Sequence, residues 1–521
     1  MNEPLIAVKD QFISLSKLSS DQKNLINFLE DCLRAVIEEE KVVNLILQDY
    51  PFEKVGIDSL AVEMVLSEIE ERLNLNITLN REVLIIHDTI SKLALYIQQN
   101  IEQSIQQKHI SHPLALEDKK KFTDFTLMPG YIELQHQKNY LKTFQSENLF
   151  FQEGEGHSGS EIVFSNKKYI NYSGYNYLGL AHDPDIIIKV KQAIDQYGTS
   201  VSASRLVGGN KILHTLLEQK IAAFLGTENA LVFSAGHATN VNTITYLMGP
   251  KDVIFYDALS HNSLIQGAVF SGASRFSYAH NNPEHLAELL YTYRSQYERA
   301  LIVTEGVFSM DGDIPPVPTL IELKKKYDCW LMIDEAHSLG TIGKQGKGVC
   351  DYFNVRANDI DILMGTLSKS LASCGGYIAG SQALIDNLKY KSPGFIFSAG
   401  ISPANTAAAL YSLEKIEEES WRVRKLQQNS ELLLEQLKLL GLDTGLSHHA
   451  PVIPVIMNNE KTILQLSLNL KNDGIFAMPI IYPAVPRNLS RIRFFVNSSH
   501  TSNDIIKTTE CLHKHLLFLK G

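Results

Sequence analysis

From about residue 160 onward, short apolar runs alternate with amphipathic stretches, and this alternation limits what the chain can fold into. The runs at 230–234, 252–256, 300–304, 329–334 and 361–364 have the length of strands. Helix-patterned segments separate them, which is the signature of a mostly parallel sheet covered by helices. A long helix is expected at roughly 402–440. An α+β tail follows, with strands near 452–457 and 491–495.

The chain has 521 residues, too many for one ordinary core, so two to four domains are expected. No apolar run approaches the length of a bilayer span, and the first residues lack a basic-then-apolar leader. The five cysteines are odd in number and form no CxxC pair, which fits reduced thiols in a cytoplasmic protein. Of 58 acids and 48 bases, residues 21–105 hold 16 and 7. Nearly all the excess acid therefore sits in one N-terminal module. Such a module does not suit nucleic acid; it suits basic patches on partner proteins, or is simply a solvated surface.

That module, 21–105, reads as a small helical domain. Leu25, Phe28, Leu29 and Leu33 recur at helical spacing, and His87-Asp88-Thr89 offers a cap for a last helix. Residues 106–130 lose the periodicity and read as a linker. Gly56-Ile57-Asp58-Ser59-Leu60 precedes a further periodic run. Ser59 there is an ordinary helix cap or a site where a helix N-terminus meets a phosphate. With the acidic helical context, 21–105 resembles an acyl carrier protein. The resemblance implies 4'-phosphopantetheine on Ser59, a swinging thioester arm and no catalysis by the module itself.

A second motif is Thr366-Leu367-Ser368-Lys369-Ser370-Leu371-Ala372-Ser373-Cys374-Gly375-Gly376. Asp334-Glu335-Ala336-His337 closes an apolar strand upstream. A lysine among hydroxyls paired with a strand-end aspartate suits pyridoxal 5'-phosphate (PLP). Lys369 would hold the cofactor as a Schiff base, and Asp334 would keep its ring nitrogen protonated. Gly236 and His237 follow a strand and open a helix, where backbone amides can hold phosphate.

Taken with the motifs at 171–179, 204–209, 233–237, 260–263 and 306–313, residues from about 130 to 521 resemble the α-oxoamine synthases. This family includes serine palmitoyltransferase, 8-amino-7-oxononanoate synthase and the synthase domains at the ends of polyketide synthases. The resemblance implies the α/β type I PLP-dependent aminotransferase fold. It puts a PLP-binding large domain at 131–410 and a small C-terminal α+β domain at 411–521. It also implies roles by position. His261 would stack on the cofactor ring, and His337 would bond its phenolic oxygen. Ser309 and Thr366 would contact it through hydroxyls, Thr366 at the phosphate. Arg493 would hold the amino-acid carboxylate, with Arg491 the alternative and Asn176 a weaker candidate. No metal is expected.

The implied reaction is a decarboxylative Claisen condensation of an α-amino acid with an acyl thioester, releasing CO2 and an α-aminoketone. The fusion suggests that the acyl group rides on Ser59's own arm. An aminotransferase of the same fold, or a synthase using acyl-CoA with the carrier accessory, are the alternatives. The reading calls for a phosphopantetheinyl transferase and a separate acyl-loading enzyme, and it expects a homodimer with no transmembrane segment.

Overall fold

The computed structural model describes residues 149–482 and 484–520. Before these it describes 122–144 with 146, and 89–108. Toward the start it describes 5–8, 11–14, 18, 22–37, 40–49, 52, 65, 66, 68, 69, 73 and 83. The chain divides into two compact units, 1–133 and 134–521.

In the first unit, helices Gln22–Val36, Glu40–Leu47 and Ile90–Lys108 pack by the faces their spacing predicts. Leu25, Phe28, Leu29, Cys32 and Leu33 share a core with Val43, Ile46, Leu93, Ala94 and Ile97. Thr89 stands at the expected cap: Ile90 is the first helical residue, and Thr89 Oγ1 accepts from Lys92 N–H at 3.5 Å. Leu5–Val8 and Gln11–Ser14 pair as an antiparallel hairpin. Its apolar residues alternate with polar ones only weakly, so the pattern carried little strand signal. Ser59 and its pentapeptide lie outside the described residues.

The second unit is built on a seven-stranded sheet. Its order is Asn229–Phe233, Gly376–Gly380, Ile362–Thr366, Trp330–Asp334, Ala300–Glu305, Val253–Asp257, Ser274–Tyr278. All run parallel except Gly376–Gly380, which is antiparallel to both neighbours. Alternate residues of each strand enter different cores. Val232, Ile302, Leu331 and Leu363 join one; Leu231, Leu301, Met332 and Met364 join the other. Burial on both faces explains why the strands are apolar throughout.

Five of these strands fall within a residue or two of expectation. Ser274–Tyr278 escapes the pattern because Ser274, Arg275 and Ser277 interrupt it at the sheet edge. Gly376–Gly380 escapes because glycine is a poor strand former. The single long helix expected at 402–440 is two, Pro403–Glu418 and Trp421–Leu439. The chain leaves helical geometry at Glu419, whose carboxylate is held by Lys415 at 3.0 Å and Arg422 at 2.6 Å. Arg422 also reaches Asp183 at 2.9 Å.

A three-stranded antiparallel sheet of Val452–Ile456, Arg491–Phe495 and Pro479–Ile480 forms the tail. Lys167–Asn171 makes a further, mixed sheet, antiparallel to Glu161–Phe164 and parallel to Ile475–Phe476. Among the described residues no helix is long and apolar enough to cross a membrane.

Candidate active site

The carboxyl ends of parallel strands are where an open α/β sheet leaves room for a ligand. Here Phe233, Glu305, Asp334 and Thr366 end four of them. Asp334 is 5% exposed and, among the described residues, bonded only to neutral donors. Asn240 Nδ2 reaches its Oδ2 at 2.7 Å, and Ala336 N–H its Oδ1 at 2.9 Å. Its partner in the strand register is Glu305, also buried. Burial, with the Asp334 charge adding, pushes the Glu305 carboxyl well above its ordinary range.

Lys369 sits on residues 367–375, which join Ile362–Thr366 directly to its neighbour Gly376–Gly380. The hairpin tip is closed by Leu367 N–H to the Gly375 carbonyl and by Ser373 N–H to the Leu367 carbonyl, both 2.9 Å. Gly375 has φ +132, and a Cβ there would stand 2.7 Å from the Phe233 carbonyl oxygen, so only glycine fits. The Lys369 amine has no hydrogen-bond or ion-pair partner among the described residues. It lies 5.6 Å from the centre of the Tyr175 ring. Burial lowers its pKa to about 8, against the pull of Asp334 and Glu305. That is the state of an amine ready to bond a carbonyl carbon.

Thr366 lies at the foot of the same loop and gives its hydroxyl to the Gly375 carbonyl at 3.1 Å. Beside it the helix Gly236–Leu247 begins, with Ala235 at the cap and no side-chain oxygen there. The first backbone N–H groups, those of Gly236 and His237, are thus left for an anion. A Cβ on Gly236 would stand 2.9 Å from Thr366 Oγ1, so the glycine keeps helix and lysine loop in contact. The His237 ring reaches toward Asn262, 3.5 Å away.

His337 is buried and shares a 2.7 Å hydrogen bond between its Nδ1 and the Tyr177 hydroxyl. Its ring stacks on Phe495, interplanar angle 8°. Burial, then the nearby Lys369 charge, hold it well below the usual imidazole range. A Tyr177 hydroxyl that donates to Nδ1 would leave the neutral ring its proton on Nε2. His261 caps helix Asn262–Ser271, and its backbone N–H donates to Glu305 Oε1 at 2.6 Å.

Two arginines share one face of strand Arg491–Phe495, and they differ in what they hold. Arg491 is tied to Asp311 at 2.6 Å and to the Met310 carbonyl at 3.1 Å. Arg493 donates to the Ser309 carbonyl at 2.8 Å and packs on Phe495, 4.4 Å from its ring centre. It has no carboxylate partner among the described residues, and its Nε is buried without an acceptor. Asn176 is engaged locally: its Nδ2 donates to the Ser158 carbonyl and its Oδ1 accepts from Ala181 N–H. Ser309 enters through its backbone carbonyl.

The motif at 204–209 is structural. Arg205 is buried in a two-pronged pair with Glu218, which also accepts from Val232 N–H at 2.9 Å. Asn240 and Glu305 were not singled out from the sequence, while Ser263, Tyr175 and Tyr177 lie inside its motifs at 260–263 and 171–179 without roles of their own. Glu305 had a usable signal, an acid ending an apolar strand as Asp334 does.

This donor set fits PLP. It has an unpaired amine, a buried carboxylate near it, an uncapped helix N-terminus for phosphate and an imidazole with a free N–H. Residues 167–509 match the family described as "Aminotransferase class I and II". The 8-amino-7-oxononanoate synthase of Thermoanaerobacter pseudethanolicus is 38% identical over 360 residues, 69% of this chain and 91% of that one. The serine palmitoyltransferase of Bacteriovorax stolpii is 34% identical over 414 residues, 80% of this chain and 96% of that one. Among solved structures, a variant serine palmitoyltransferase of S. paucimobilis with PLP and myriocin bound superposes with a TM-score of 0.73. It has 26% identity and covers 76% of this chain and 99% of its own.

Proposed function

The chain belongs to the class I and II aminotransferase family, and from that premise we propose that it joins an α-amino acid to an acyl group delivered on its own Ser59 arm. It is a PLP-dependent acyltransferase of the α-oxoamine synthase kind, with the type I aminotransferase fold and a mixed sheet. In this reading the substrates are an α-amino acid and an acyl thioester, and the products are an α-aminoketone, CO2 and the carrier thiol.

PLP, when bound, supplies an electron sink for the carbanion formed at the amino acid's α-carbon. Every other task falls to the chain. Lys369 would hold the cofactor and, once displaced by the amino acid, take the α-proton on Nζ; a pKa near 8 suits a base at neutral pH. Asp334, held in place by Asn240 and Ala336, would keep the ring nitrogen protonated. His337 would donate its Nε2–H to the phenolic oxygen. The amides of Gly236 and His237, with Thr366, would take the phosphate. Ser309 would add a hydroxyl contact, and His261 would cover the ring. Arg493 would clamp the substrate carboxylate, with Asn176 at the edge of that site.

One observation carries the reading. Among the described residues neither the Lys369 amine nor the Arg493 guanidinium has an acidic partner, and both meet Tyr175. An unpaired amine suits the cofactor's aldehyde, from which the substrate's own amine later displaces it, and an unpaired guanidinium suits that substrate's carboxylate. The module at 21–105, the linker at 106–130 and the phosphopantetheine on Ser59 belong to the same proposal, supported by the sequence motif. A homodimer belongs to it too, supported by exposed apolar side chains such as Val207, Ile212, Phe270 and Phe397. A cytoplasmic setting, a phosphopantetheinyl transferase and a separate loading enzyme complete it.

The test is to load Ser59 with acyl-phosphopantetheine, add amino acids, and follow the carrier's mass and released CO2. Deacylation with CO2 and aminoketone is expected. Deacylation without them overturns the synthase reading. Full activity of Ser59→Ala on free acyl-CoA at equal concentration would make the carrier accessory.

A further inference from the structure

Asp334 and His261 come from different elements, and two side chains that had no role assigned from the sequence lie between them. Asn240 is on helix Gly236–Leu247, and Ser263 is on the first turn of helix Asn262–Ser271. Each is 1% exposed. The two hydrogens of Asn240 Nδ2 are both engaged, one to Asp334 Oδ2 at 2.7 Å and one to Ser263 Oγ at 2.9 Å. The carboxylate can only accept, so the amide's orientation is fixed. Ser263 Oγ accepts from Asn240 and has its own O–H left to give. Its remaining partner is His261 Nδ1, at 2.7 Å. The Ser263 backbone N–H approaches the same ring nitrogen at 3.2 Å. With two donors aimed at it, Nδ1 has no place for a proton.

We propose that Asn240 and Ser263 are positioning residues that tie the His261 ring to the Asp334 carboxylate and hold it as the Nε2–H tautomer. The proposal rests on the reading that His261 faces the cofactor. Its consequence is directional. The one exchangeable ring proton sits on Nε2, the ring nitrogen with no hydrogen-bond partner among the described residues, and is available to a bound substrate. Burial, against the pull of Asp334, lowers the His261 pKa below its usual value. The ring is therefore neutral near neutral pH, where the choice of tautomer decides which face can donate. The same chain of bonds passes through Asp334, so ring and carboxylate are set by one frame rather than two.

The holoenzyme labelled with [15N]histidine tests this, with His261 assigned by its loss in His261→Gln. The wild type is expected to show an unprotonated Nδ1 and a protonated Nε2. Ser263→Ala is expected to mix the two tautomers and to lower kcat about tenfold, the loss of one hydrogen bond's orientation. KM for the amino acid and the amount of bound PLP stay as in wild type. Ser263→Thr restores both tautomer and kcat. A wild-type ring protonated on Nδ1 overturns the proposal, as does a Ser263→Ala protein with unchanged 15N shifts and kcat. Wild-type protein that binds no PLP counts against the functional reading instead, because the ring's tautomer is read with or without cofactor.

Discussion

The two edges of the seven-stranded sheet treat charge in opposite ways. At the edge where the parallel strands begin, charges are paired. Asp361 holds Lys324 at 2.5 Å and accepts the Leu331 N–H at 2.8 Å. Lys251 meets Glu298 at 2.9 Å, and Asp252 meets Arg299 at 3.6 Å. A groove of about 570 Å³ lies there, lined by Arg299, Trp330 and Asp361, but its charged groups are already satisfied. At the edge where the strands end, among the described residues, Asp334 has only neutral donors and Lys369 has no partner, while Arg493 nearby lacks a carboxylate. A concave surface is therefore a weaker pointer to chemistry than a charge the fold has left uncompensated.

The sharpest way to break this contrast is Lys369→Ala. Activity is expected to fall by about 10³-fold or more, measured as CO2 release, with no loss of thermal stability beyond that of the missing cofactor. A residual rate within tenfold of wild type would mean that the unpaired amine does no chemistry.

The arginines two residues apart give the same contrast on one strand. Arg491→Met leaves Asp311 without its partner and is expected to cost about 3 kcal/mol or more in urea unfolding. Arg493→Met is expected to leave stability nearly unchanged and to lower kcat/KM for the amino acid roughly 100-fold, chiefly through KM. An exchange of those two phenotypes would reverse the assignment.

His280 is a paired group next to the active edge. Its Nδ1 meets Asp257 at 2.8 Å and its Nε2 meets Asp313 at 2.7 Å. Burial works against its charge, but the two aspartates win and raise its pKa to about 10. A raised folded value means that the contribution is complete below the unfolded value of about 6.5 and is lost as pH rises through about 10. The Tm gap between wild type and His280→Leu is therefore expected to be widest at pH 6 and to close toward pH 10. A gap independent of pH would make the contact one of packing alone.

At the far edge, Lys324→Met is expected to cost no more than about 1 kcal/mol and to leave kcat unchanged.

Much of this was legible because the relevant residues carry their own sequence context. Asp334 ends an apolar run, Lys369 follows a strand with hydroxyls around it, and Gly236 opens a helix with no capping side chain. Arg493 was separable from Arg491 only by resemblance, since both lie on one face of one strand. Their difference is made by Asp311, far off in sequence. Asn240 was invisible, and Ser263 was visible only as the end of a motif, for the same reason. An asparagine within a helix and a serine on a first turn have ordinary local roles, and only tertiary packing aligns them with Asp334 and His261. The break at Glu419 is likewise tertiary: Asp183, nearly 240 residues away, shares Arg422 with it.

The hairpin that carries Lys369 has a further consequence for how the molecule assembles. The other neighbours of this sheet meet across crossovers or longer separations, while Thr366 and Gly376 meet across one short loop. Closing a short loop costs little chain entropy, and such contacts form early relative to distant ones. The reactive amine is thus presented by the most local pairing in an otherwise non-local sheet. Asp334 and Arg493 must be brought to it, and it need not wait for them to take its own shape.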